Sequence, residues 1–155
     1  MNVYINKNSE LFHKAREDGW IAEQSWRVTP NNAVWHCTQA AEKIMKGLLR
    51  CFNQDYDYGH DLNELLNAIA HHVELQDETI KNILYLKGFG IGLRYKHMKS
   101  DPTIDEANVA ITRTKQIMQE FSKNPSISTF MKEAQEVHAK ILKASIGKTL
   151  DNPSG

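Results

Sequence analysis

Residues 32–52 constrain the fold more than any other stretch. At about 100° per residue, Ala33, Cys37, Ala40, Ala41, Ile44, Leu48 and Cys51 gather on one side of a helix. Trp35, His36, Gln39, Glu42, Lys43, Lys46 and Arg50 gather on the other. An apolar arc this broad needs neighbours on more than one side to cover it, which puts the helix at the centre of a bundle. The polar arc opposite is free to carry chemistry.

The flanking segments supply the neighbours. Ser9 is a candidate N-cap for a first helix with a seam at Phe12, Ala15, Gly19, Ala22 and Trp26. Trp20 and Trp26 are assigned to the core, because apolar helical stripes bury within a bundle first. Thr29-Pro30-Asn31-Asn32 ends this helix and opens the central one, which stops near Phe52. Asp61-Leu62-Asn63-Glu64 reads as a capping box for a third helix striped by Leu62, Leu65, Leu66, Ile69 and Val73. A fourth starts at Asp77, with Ile80, Ile83, Leu84 and Lys87 on one side.

Gly88-Phe89-Gly90-Ile91-Gly92-Leu93 then alternates glycine with apolar residues. Each interior glycine costs a helix about 1 kcal/mol relative to alanine. With no second strand-like segment to pair with, the stretch reads as a frayed helix end or a loop packed on the core. Its spacing is wrong for a dinucleotide fingerprint. Thr103-Ile104-Asp105-Glu106 is a second capping box, opening a fifth helix with Ile104, Ala107, Ile111, Thr114, Met118 and Phe121 at steps of three and four. Asn124-Pro125 stops it, and a sixth helix follows from Ser128 with Phe130, Ala134, Val137 and Ile141 on its seam. The expectation is an all-α, up-and-down helical bundle of five to six helices. Residues 1–124 form the bundle, 125–146 an additional C-terminal helix packed on the same domain, and 147–155 a disordered tail.

The chain's 155 residues fit one domain with a core of its own. No apolar run approaches the length a membrane helix needs, and the first residues lack a signal-peptide core, so a cytoplasmic protein without a membrane partner is expected. Cys37 and Cys51 lie too far apart on one helix for a disulfide and read as buried small hydrophobes. Residues 1–80 carry seven Lys and Arg against twelve Asp and Glu, and residues 81–155 twelve against seven. The halves are therefore −5 and +5. They either face each other in the bundle or leave a basic surface that attracts phosphate.

Three groups of residues are candidates for chemistry. On the central helix, Gln39, Lys43 and Lys46 lie within two turns, joined by Glu42. Glu42 and Lys46 at i, i+4 are also the ordinary pairing of a solvated helix face. His60 precedes the N-terminus of the third helix, where an anion can dock unless Asp61 caps it. Arg94-Tyr95-Lys96-His97 combines a permanent cation, a ring for base stacking and a histidine that titrates near neutral pH. The bland reading pairs Arg94 with an acidic residue and packs Tyr95. His71 and His72 point about 100° apart on a helix, and no ligand set completes a metal site around them. No metal or other cofactor is expected.

Ala15-Arg16-Glu17-Asp18, Gln39-Ala40-Ala41-Glu42-Lys43 with Lys46, His60-Asp61-Leu62, Arg94-Tyr95 and Glu106-Ala107 follow one another in an order and at separations that resemble the HEPN domain family. The resemblance runs from about Ala15 to Phe121. It implies a helical bundle that pairs as a homodimer and partners a minimal nucleotidyltransferase in a toxin–antitoxin-like pair. It further implies a nucleotide- or RNA-phosphate-binding module with contacts from Lys43, Lys46, His60, Arg94 and Tyr95. The alternative is a metal-independent ribonuclease toxin, with His97 moving the proton and Arg94 stabilising charge on phosphorus. Ribonuclease members of the family have a longer Arg-to-His spacing, whereas only Tyr95 and Lys96 separate the pair here. A purely structural protein-interaction module is the third reading.

Overall fold

The computed structural model describes residues 4–54, 61–89 and 101–151. The chain is an all-α bundle, with six helices among the described residues: α1 Glu10–Ser25, α2 Pro30–Cys51, α3 Leu62–Ala70, α4 Asp77–Lys87, α5 Ile104–Ser122 and α6 Ser128–Asp151. There is no strand among the described residues. No helix is long and apolar enough to cross a membrane, again among the described residues.

The central position of α2 follows from its apolar arc. It packs on α1, α3, α4 and α5, and it buries Val34, Cys37, Ile44, Met45, Leu48 and Leu49 completely. Pro30 sits in the first turn, where its missing N–H costs nothing. At the other end, the Asn53 N–H donates to the Arg50 carbonyl and the Gln54 N–H to the Leu49 carbonyl, both at 3.0 Å. Asn53 takes the left-handed conformation at φ 55° that this motif requires.

Asp61 and Thr103 cap α3 and α5 as the sequence suggests, Asp61 by one bond to the second residue of its helix and not by the reciprocal box expected there. The Asp61 carboxylate accepts from the Asn63 N–H at 2.9 Å. Thr103 and Glu106 close a full capping box, each side chain accepting from the other's backbone N–H at 3.0 Å. Ser9 holds the cap position of α1, but its hydroxyl makes no capping bond and is buried without a partner among the described residues.

Several stripes differ from expectation. On α4 the buried residues are Thr79, Asn82, Ile83 and Leu86, while Leu84 is 45 % exposed. The reason is polar: Asn82 Oδ1 accepts from Arg113 at 2.9 Å and Asn82 Nδ2 donates to Gln116 at 3.2 Å, which turns that face toward α5. Ile104 is likewise exposed, and Ala110 and Ile117 join the α5 seam. Trp20 is 41 % exposed and not in the core, because the α1 seam advances through Asp18 to Ala22 and leaves it on the flank. Trp26 is half-buried against the core, with the Arg27 guanidinium 4.5 Å from its ring centre.

α4 ends at Lys87. Phe89 packs on the core against Tyr85, and Gly90, Ile91 and Gly92 lie outside the described residues. α6 continues to Asp151, past the boundary at 146 expected from the sequence. Residues 152–155 lie outside the described residues. α6 rests mainly on α1, and Glu133 accepts from the Asn6 N–H at 2.7 Å.

Candidate functional site

The polar arc of α2 lies against α1 and is organised by two buried carboxylates, Asp18 of α1 and Glu42 of α2 itself. Asp18 falls three residues after Ala15 and four before Ala22, so helical spacing carries it into the α1 seam, where it is 6 % exposed. Its Oδ1 lies 2.8 Å from His36 Nδ1, and its Oδ2 accepts from Lys43 Nζ. Glu42, 4 % exposed, accepts from Lys46 Nζ one turn along the same helix. A carboxylate this buried is tolerated only when paired and hydrogen-bonded, and Asp18 has two donors.

The consequence for the lysines is that they are held rather than free. Lys43 and Lys46 stand three residues apart on one face of α2, with 28 % and 19 % of their side chains exposed. Their charges are balanced by Asp18 and Glu42, so this arc has no positive excess. The Trp35 ring meets His36 edge-on at 4.9 Å, and Arg50 reaches Glu10 at 3.7 Å. The arc is therefore a preorganised, neutral cluster and not the solvated charge row that the i, i+4 pattern alone suggests.

Asp18 is the residue that sequence reasoning left without a role. Its signal was present as an acidic residue in register with an apolar stripe, facing a helix with surplus cations.

The remaining sequence candidates, His60, Arg94, Tyr95 and His97, lie outside the described residues. The helix leading toward residues 94–97 is tied down by a polar seam. The Arg113 guanidinium stacks 4.5 Å from the Tyr85 ring while donating to Asn82. The Tyr85 hydroxyl donates to the Glu106 carbonyl at 3.4 Å. Burial, then the Glu106 charge, pushes the Tyr85 phenol up, with Arg113 opposing.

Both cysteines are free thiols. Cys37 is fully buried, and loss of water pushes its thiol up to about 11. Cys51 is half-buried. Among the described residues no three His, Cys, Asp or Glu side chains converge as metal ligands would. His71 and His72 are exposed, and His72 stacks on Phe52 at 4.7 Å. Lys115 and Glu23, 2.7 Å apart, join the oppositely charged halves.

The HEPN domain family model matches residues 9–124, which takes in α1 to α5 and stops short of α6. No curated protein and no solved structure matches the chain.

Proposed function

The chain belongs to the HEPN domain family, and from that membership we propose that it is a nucleotide- or RNA-phosphate-binding module. In this reading it acts as a homodimer beside a minimal nucleotidyltransferase. The observation that carries the reading is the pair of lysines fixed on α2 from beneath by Asp18 and Glu42. Donors held in place lose little entropy on meeting a phosphate. Because the cluster is neutral, the added attraction comes from His60, Arg94 and Tyr95, with Arg94 supplying a permanent cation and Tyr95 the stacking ring.

Calorimetry against a panel of mononucleotides and a short RNA tests this. Arg94→Ala should weaken binding by about 1.5–3 kcal/mol, as loss of a charge-assisted contact does. Unchanged affinity in a folded variant removes Arg94 from the site. Incubation with labelled RNA in chelator separates the enzymatic alternative. Cutting by the wild type but not by an Arg94→Ala/His97→Ala variant makes the protein a ribonuclease. Absence of both cutting and any nucleotide-induced thermal shift leaves the protein-interaction role.

A further inference from the structure

α1, α5 and α6 frame an open cleft of about 740 Å³ with Cys37 of α2 among its lining residues. That volume lies in the range of sites for small organic ligands, about 300–1,000 Å³. One part of the wall is apolar and pliant: Trp20 from α1, Met118 from α5, and Met131 and Leu142 from α6. Methionines adapt their shape and make favourable sulfur contacts with flat rings.

The other part of the wall is cationic. Arg16 is half-buried and has neither an ion pair nor a hydrogen bond among the described residues. Burial of the side chain lowers its pKa. His138 lines the same cleft, with the His13 ring 6.0 Å away. The His13 Nε2 is buried and has no hydrogen-bond partner among the described residues, while its Nδ1 lies 3.2 Å from Glu17. Lys132 stands exposed on the lining. The one lining carboxylate, Glu23, is already engaged by Lys115. A half-buried arginine is stabilised by a carboxylate or phosphate that accepts from its fork, and nothing in this wall supplies one.

We propose that this cleft is a binding site for a small aromatic anion, with its negative group on Arg16 and its ring against Trp20, Met118 and Met131. The site is distinct from the Lys43–Lys46 cluster, and the proposal stands without the reading of that cluster. Its walls include α6, which lies beyond the residues the family model matches.

The test uses 1-naphthyl phosphate as the probe, titrated into the full chain carrying ¹³C-methyl methionine. The Met118 and Met131 methyl signals should shift and saturate together, while Met45, sealed in the core at 0 % exposure, stays in place. By calorimetry, Arg16→Gln should bind the probe at least tenfold more weakly. Inorganic phosphate and 1-naphthol, each offered alone, should also bind at least tenfold more weakly. Unmoved Met118 and Met131 signals at millimolar probe overturn the proposal in the wild type, whatever the variant's folding. Equal affinity in a folded Arg16→Gln variant overturns it too, as does equal affinity for phosphate alone.

Discussion

Gly47 of α2 lies directly against the ring of Phe12 of α1. A Cβ there would lie 2.7 Å from Cε1 of Phe12 and 3.0 Å from its Cζ. Phe12 is 2 % exposed, so its ring has nowhere to retreat. Overpacking of this kind costs about 1–3 kcal/mol, against a helix-propensity gain near 1 kcal/mol for alanine. Gly47→Ala should therefore lower the urea midpoint despite its better propensity, and an unchanged or higher midpoint would show that the two helices can separate. Asp18 carries a second prediction. Lys43→Met strands a buried carboxylate with only His36 for a donor and should cost about 2–4 kcal/mol. In Asp18→Asn/Lys43→Met both charges are gone, and stability should partly return. A double variant as unstable as the sum of the singles would mean the pair is not coupled. Neither residue was legible as a contact: Gly47 reads as a weak helix position, and the partners of Asp18 lie 18 and 25 positions along the chain.

Helix ends were legible for a physical reason. A cap is satisfied within a few residues, so Thr103-Ile104-Asp105-Glu106 carries all of its own geometry. Thr103→Ala removes the acceptor for the Glu106 N–H and should cost about 1 kcal/mol, read as a lower melting temperature. If the melt is unmoved, tertiary packing alone sets the start of α5. The face of α4 was not legible. Periodicity ranks residues by hydropathy and places Leu84 inside, yet Asn82 is buried in its stead because Arg113 and Gln116 of α5 hold its amide. The nearest of those partners is 31 residues away. The candidate site followed the same rule: the Glu42–Lys46 pair, one turn apart, could be read directly, while the carboxylate beneath Lys43 came from another helix.

For the molecule as a whole, the join between α1 and α6 sets a pH response. His138 is held below its ordinary pKa by burial, then by His13 and Arg16, with Glu17 opposing. The folded chain thus binds fewer protons there than the unfolded chain does. This contribution to stability is complete above the unfolded pKa of about 6.5 and is lost as pH falls from there through the lower folded value. The melting temperature of the wild type should drop more between about pH 7 and pH 5 than that of His138→Gln. Equal drops would assign acid sensitivity to other groups.

The same join has a temporal side. α1 is synthesised well before α6, yet one flank of it is covered by α6, across a separation of 127 residues between Asn6 and Glu133. Growth at about 5–20 residues per second leaves that flank bare for seconds while α2 to α5 emerge. A nascent chain would complete the surroundings of α1 only once α6 has emerged, so stalling before α6 should leave α1 open to a chaperone even though its pairing with α2 has formed.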